Sequence, residues 1–226
     1  MKIDRLILGA YQTNCYILRE SKAAKDCLII DTGLEAGELV DFLQRHNLNP
    51  VAAILTHGHA DHVTGLVALR GRFPHIKVYI HKLDADSPLG ARLGAKPREA
   101  EGMLTGEKDN LSALAGVLFS SEPADFSLEE GDVIEQANIK LDVLHTPGHT
   151  PGGICLYSKD EGIVFVGDTL FADSVGRTDM PGGSATQLIK SIKQKLCTLP
   201  DETIVYPGHG PQTTIAQEKA HNPYLQ

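Results

Sequence analysis

Hydrophobic positions along the chain fall into short runs separated by Gly, Pro and polar clusters, and most of these runs have the length of a strand. CYILRE, beginning at Cys15, and DCLIID, ending at Asp31 before Thr32-Gly33, are rich in β-branched or aromatic residues and are each followed by a turn signal. They predict a hairpin. From Glu35 to Leu48 the apolar residues Leu39, Val40, Phe42 and Leu43 recur at helical spacing, and Asn49-Pro50 stops the pattern. Val51 to Thr56 (VAAILT) is a continuous apolar run, as expected for a strand buried in a parallel sheet. After His57-Gly58-His59, the residues Val63, Leu66, Val67 and Leu69 mark a second helical face, with Asp61 in the first turn where an acid is favoured.

Val78 to His81 reads as the next strand. Residues 82–125, with many Gly, Pro and charged positions, read as a loop-rich insertion, a candidate lid, within one domain spanning 1–226. Beyond Gly131-Asp132, the runs IKLDVLHT, GICLYS and GIVFVGD follow in strand fashion. Ser184 is placed to cap a helix carrying Leu188, Ile192, Leu196 and Leu199, with the charges from Lys190 to Lys195 on its solvated face. TIVYPGHG then repeats the pattern of an apolar strand leading into a histidine loop. CYIL…DCLIIDTG resembles ICLY…GIVFVGDTL, and VAAILTHGH resembles TIVYPGHG, so two similar α/β halves facing each other are expected.

Composition narrows the function class. With 226 residues, 42% of them hydrophobic and 22% charged, the chain can bury one sizeable core. A net charge of −8 with no Lys/Arg block excludes the electrostatic footprint of a nucleic-acid binder. No segment approaches the roughly 20 apolar residues of a membrane span. The opening apolar stretch is broken by Gln12, Thr13 and Asn14 too soon for a secretory signal. Cys15, Cys27, Cys155 and Cys197 are scattered with no C-x-x-C pair, which points to a reduced, cytoplasmic setting. A small molecule is the expected partner.

The chemistry concentrates in His57-Gly58-His59-Ala60-Asp61-His62, four potential metal ligands within one short loop after a buried strand. At this chain's own His and Asp frequencies such a pattern arises by chance about once in a thousand sequences. His57 and His59, two apart on an extended loop, project the same way and can clamp one ion. Asp61 and His62, opening a helix, point elsewhere and can hold a second. Three further ligands lie in Gly/Pro turns directly after apolar strands: His149 in TPGHTPGG, Asp168 in VFVGDTLF and His209 in YPGHGP. Asp168 suits the bridging role because a carboxylate has two oxygens; His149 would complete the first site and His209 the second. A water held between two such cations is acidified toward neutrality and would attack an ester-like carbonyl, with His57, His59, Asp61 and Asp168 as the catalytic set. Asp61 would also orient the nucleophile. His and carboxylate ligands without thiolate suit Zn, Fe or Mn, with Zn expected. His145 is expected to hydrogen-bond near the site, His46, His75, His81 and His221 to pack or face solvent, and Asp31 to cap a turn or support a ligand.

The motifs T-H-x-H-x-D-H, H-T-P-G-H-T, G-D-T-L-F and P-G-H-G resemble those of the metallo-β-lactamase superfamily along nearly the whole chain. Asn14-Cys15-Tyr16, Asp31-Thr32-Gly33, Gly167 to Phe171, Gly176-Arg177-Thr178-Asp179 and Asn222-Pro223 look like the glyoxalase II group, hydroxyacylglutathione hydrolases, in its compact bacterial form. The resemblance implies a four-layer αβ/βα sandwich with two metals at one edge. It assigns His57, His59 and His149 to one metal, Asp61, His62 and His209 to the other, and Asp168 to both. It also implies hydrolysis of thioesters such as S-lactoylglutathione, with Arg177 and Asp179 at the substrate. Longer glyoxalase II enzymes carry a basic C-terminal extension, whereas this sequence has a short tail from Thr213 to Leu225, leaving Arg92, Lys96 and Arg98 as candidates for an anionic pocket. Two alternatives share the scaffold: an iron-dependent persulfide dioxygenase, and a lactonase or phosphodiesterase.

Overall fold

The computed structural model describes residues 1–85 and 124–226. Strand β1 (Lys2–Leu8) pairs antiparallel with β2 (Thr13–Arg19), which pairs antiparallel with β3 (Asp26–Ile30). Helix α1 (Gly37–Arg45) then leads into β4 (Asn49–Ile54), and α2 (Ala60–Val63) and α3 (Leu66–Arg72) lead into β5 (Lys77–His81). Short helix α4 (Lys82–Ala85) opens the expected insertion, and residues 86–123, including Arg92, Lys96 and Arg98, lie outside the described residues. β6 (Phe126–Leu128) completes a six-stranded sheet of order β1-β2-β3-β4-β5-β6, in which β3 to β6 run parallel.

The second sheet has six strands in the order β14-β13-β10-β9-β8-β7. Its members are β7 (Val133–Gln136), β8 (Ile139–His145), β9 (Ile154–Ser158), β10 (Ile163–Gly167), β13 (Ile204–Pro207) and β14 (Thr213–Thr214). Between β10 and β13 lie the small hairpin of β11 (Leu170–Phe171) and β12 (Ser174–Val175) and helix α5 (Ala185–Ser191), which runs on through one π-helical stretch to Leu196. The last helix is α6 (Ile215–His221).

Alternation along the central strands builds the layers. In β2, Tyr16 and Leu18 face the other sheet while Cys15 and Ile17 face α1 and α3; in β10, Ile163 and Phe165 face inward while Val164 and Val166 pack under α5 and α6. A strand apolar on both faces must be covered on both, and the stable solution is helix, sheet, sheet, helix. The four-layer sandwich expected from the sequence is therefore the fold, and the two halves face each other across the cluster of Tyr16, Ile54, Leu156 and Phe165.

Several local expectations needed revision. The helix after the histidine loop is interrupted at Gly65, whose amide donates to the Gly33 carbonyl at 2.8 Å instead of continuing the helical ladder; so close an approach needs glycine, because a Cβ there would lie 2.2 Å from the Thr32 carbonyl oxygen. Pro50, read as a helix stop, lies inside β4 beside a register shift against β3. β1, β7 and α6 had too little patterning to stand out, and the tail after Thr213 is an ordered strand and helix. Among the described residues no helix is long and apolar enough to cross a membrane.

Phe165 is fully buried and its ring lies 5.1 Å from that of Tyr16 and 5.2 Å from that of Tyr206. Phe165→Ala is expected to cost about 3–5 kcal/mol, read as a lowered urea midpoint with an unchanged slope.

Candidate metal centre

All seven predicted ligands come from chain segments that leave the sheets at one edge. His57 follows β4 by three residues, Asp168 directly follows β10, His209 follows β13 by two, and His149 follows β8 by four. β4 is parallel to β3 and β5, and β10 is parallel to β13. The C-terminal ends of these strands therefore converge. Gly208 lets the last loop close in: a Cβ on it would sit 2.3 Å from Asp168 Oδ1 and 2.7 Å from His62 Cε1.

The ligand atoms form two triangles. His57 Nε2, His59 Nδ1 and His149 Nε2 are 2.9, 3.1 and 3.2 Å apart, and Asp61 Oδ2, His62 Nε2 and His209 Nε2 are 3.2, 3.3 and 3.4 Å apart. A tetrahedral ion bound at about 2.0–2.1 Å spaces its ligands by about 3.3–3.4 Å, so both triangles have the size a divalent metal needs. Asp168 lies between them: Oδ2 is 3.6 Å from His149 Nε2 and 3.5 Å from His209 Nε2, while Oδ1 is 3.4 Å from His62 Nε2. Asp168 Oδ1 is buried without a hydrogen-bond partner, which is costly for a carboxylate oxygen unless a cation meets it. The donor set therefore fits two divalent ions.

In four of the five imidazoles the nitrogen facing away from this centre is held by the protein. His62 Nδ1 lies 2.8 Å from Asp31 Oδ2, His149 Nδ1 2.8 Å from the Arg177 carbonyl, His209 Nδ1 3.0 Å from the Tyr11 carbonyl, and His57 Nδ1 3.1 Å from Thr56 Oγ1. Such bonds set ring orientation and tautomer. Asp31, in the left-handed region at φ 54°, also accepts from the Thr56 amide and hydroxyl, both at 2.8 Å. Of its two expected roles, turn cap and ligand support, these bonds show the second, since they go to His62 and Thr56 and not to its own turn. Asp61 Oδ2 accepts from Thr13 Oγ1 at 3.1 Å.

Electrostatics divides the metal-free centre. Burial, reinforced by the neighbouring His62, pushes His57 well below its ordinary value; burial and the nearby His149 bring His59 down to about 4. Burial also disfavours charge on His62 and His209, but the charge of Asp31 holds His62 well above its ordinary value, and hydrogen bonds to Asp168 and Asp61 bring His209 up to about 9. Burial disfavours the Asp168 carboxylate too, yet the His62 charge and a bond from His209 keep it well below the usual range.

Other predicted residues fall into place around this core. His145 Nε2 lies 2.9 Å from the Pro151 carbonyl, in the loop that carries His149, and its ring stacks on the buried His81 at 4.1 Å. His46 packs on Phe42, while His75 and His221 are exposed. Arg177 and Asp179 are exposed and bind each other through two hydrogen bonds of 2.8 and 2.7 Å. Sequence reasoning missed the carbonyls of Tyr11 and Arg177, because backbone acceptors carry no residue signature. It also missed buried Asp84, whose carboxylate reaches both histidine loops from a stretch with no pattern to mark it.

Two outcomes follow from this geometry. Gly208→Ala drives a methyl onto Asp168 and His62 and is expected to cut bound metal, counted by elemental analysis, to one ion or fewer per chain. Because His209 and His62 carry protons at pH 7 that a metal must displace, loading is expected to release protons and to tighten as pH rises toward about 9. Calorimetry of metal-free protein in buffers of different ionisation enthalpy reads that release.

The metallo-β-lactamase superfamily model matches residues 8–209. Over the full chain the protein is 36% identical to a probable metallo-hydrolase, YqgX, of Bacillus subtilis, and 34% identical to the hydroxyacylglutathione hydrolase GloC of Haemophilus influenzae, covering 98% of each. Among solved structures it resembles the B3 metallo-β-lactamase BLEG-1, at 37% identity and a TM-score of 0.83 with both chains fully covered. It also resembles TTHA1623 in a di-iron-bound form, at 36% identity and a TM-score of 0.77, over 98% of this chain and all of that one. With the fold, the two ligand triangles and these matches in agreement, the chain belongs to the metallo-β-lactamase superfamily.

Proposed function

We propose that the chain is a binuclear metal-dependent hydrolase whose substrates are thioesters such as S-lactoylglutathione. The observation that carries the binuclear part is the Asp168 carboxylate, which presents one oxygen toward His62 and the other toward His149 and His209. His57, His59 and His149 would hold one ion, Asp61, His62 and His209 the other, and Asp168 both. Support for two ions in such a frame comes from the di-iron form of the 36% identical TTHA1623.

When bound, a pair of divalent ions supplies a water acidified to near-neutral pKa and Lewis acidity for a carbonyl oxygen. The chain's own groups supply placement. Asp61, fixed by the Thr13 hydroxyl and facing His209 and His62, offers an acceptor oxygen to orient the attacking water. The buried His57, with the half-buried His59 and Asp168 beside it, limits the access of bulk water to the reacting face. The Arg177 carbonyl is tied to His149, so the Arg177 and Asp179 side chains project from the rim of the first site, where they would meet the part of the substrate that stays in solvent. The thioester reading is supported by the likeness to GloC along the full chain and by the glyoxalase II-like motifs.

The assay is S-lactoylglutathione hydrolysis by purified protein, before chelation, after it, and after reloading with Zn, Fe or Mn. Turnover lost with the metal and restored by it is expected, with Arg177→Ala raising KM roughly tenfold at unchanged kcat, as for loss of uniform binding. No turnover with both sites filled would remove the thioester reading; a β-lactam, a lactone, a phosphodiester and, with oxygen uptake, a persulfide then identify the competing chemistry.

A further inference from the structure

Asp84 stands on α4, directly after β5, and is 1% exposed. Its Oδ2 accepts from the Gly58 amide and the Thr150 hydroxyl, each at 2.8 Å, and its Oδ1 accepts from the Gly152 amide at 2.6 Å. Gly58 is the residue between His57 and His59, and Thr150 and Gly152 follow His149. One buried carboxylate thus receives three donors from the two loops that carry all three histidines of the first triangle. Gly152 is part of the arrangement, because a Cβ on it would lie 2.6 Å from Asp84 Oδ1 and push the carboxylate away.

The second triangle is held by different groups. Asp61 takes its bond from Thr13, His62 is held by Asp31, and His209 by the Tyr11 carbonyl. Asp31 serves both triangles, since it also holds Thr56, which bonds His57. The three hydrogen bonds of Asp84 from Gly58, Thr150 and Gly152, by contrast, converge on the first.

We propose that Asp84 is a positioning residue that sets the spacing of the first metal site without organising the second, an inference that rests on the two-metal reading above. A carboxylate is suited to the role. It can accept from all three donors at once, and charge-assisted bonds offset the cost of burying it. Alanine leaves the Gly58 and Gly152 amides and the Thr150 hydroxyl unpaired and frees the two loops to separate. Because metal-ligand edges tolerate only tenths of an ångström, loop separation lowers affinity before it disturbs the fold.

The test uses full-length chain stripped by chelation and titrated with Co(II), followed by calorimetry and by visible absorption of the bound ion. Wild type is expected to take up two ions. Asp84→Ala is compared in two backgrounds: His209→Ala, which leaves the first triangle whole, and His149→Ala, which leaves the second whole. In the first background Asp84→Ala is expected to weaken Co(II) binding by roughly 10–100-fold, as supporting residues typically do, and in the second to leave it unchanged. Equal losses in both backgrounds, or none in either, overturn the assignment while leaving the two-metal reading intact. A wild type that binds fewer than two ions overturns that reading and this inference with it. Where circular dichroism shows Asp84→Ala unfolded, Thr150→Val, which removes one donor and keeps the shape, takes its place with the same pattern of outcomes at smaller amplitude.

Discussion

The Pro207 carbonyl accepts from both the Tyr16 hydroxyl at 2.7 Å and the Asn14 amide at 2.9 Å, and the Asn14 backbone amide donates to the Gly208 carbonyl at 2.7 Å. These bonds join β2 of one sheet to the end of β13 in the other. The rest of the centre depends on that junction, because the ligands are divided between the two halves of the chain. His57, His59, Asp61 and His62 belong to the first sheet's loops, and His149, Asp168 and His209 to the second's. Burial pushes the Tyr16 phenol up, so it remains a donor. The backbone pairing of Thr13 with His209 and the bond from the Ile154 amide to the Thr56 carbonyl reinforce the same edge.

Around this junction the protein manages an unusual charge problem. The Asp31 carboxylate is buried and that of Asp168 largely so, and five imidazoles stand in a chain of ring contacts. Buried charges persist only when paired and hydrogen-bonded. In the metal-free chain, protons on His62 and His209 balance the carboxylates, and His57 and His59 stay neutral. Divalent ions would take over that balancing role, so the same carboxylates that need protons in the empty centre favour cations in the filled one.

Support for the ligands is as ordered as the ligands themselves. Loops would ordinarily be the mobile part of such a molecule, yet here the buried Asp31 carboxylate holds the loop from Thr56 to His62, and that of Asp84 ties it to the His149 loop. A third buried carboxylate, Glu218 on α6, accepts from Thr213, Asn222 and the Asp173 amide, and Asn222 in turn donates to the Ser174 carbonyl. The C-terminal helix thereby braces the hairpin that runs from Asp168 to Arg177, which gives Asn222 of the Asn222-Pro223 motif a structural use.

The seven candidate ligands were legible in the sequence because four stand together in the His57-to-His62 motif, and His149, Asp168 and His209 each lie in a Gly- or Pro-bearing turn after an apolar strand, local patterns that do not depend on what packs nearby. Two facing α/β halves were legible in the internal repeat, while the four-layer sandwich was implied by the family resemblance; strands apolar on both faces, which require covers on both, give its physical reason. What the sequence could not contain is the pairing of groups far apart along the chain. Asp84 looked like one acid in an irregular stretch, and only the packing of α4 against the two histidine loops makes it their shared acceptor. The carbonyls of Tyr11 and Arg177 are invisible in principle, because every residue has one and position alone decides which faces an imidazole. The resemblance placed both Arg177 and Asp179 at the substrate, and only the loop conformation shows that the two bind each other. Residue chemistry and local spacing are written in one dimension; the distances that turn seven ligands into two triangles exist only once two sheets have been brought edge to edge.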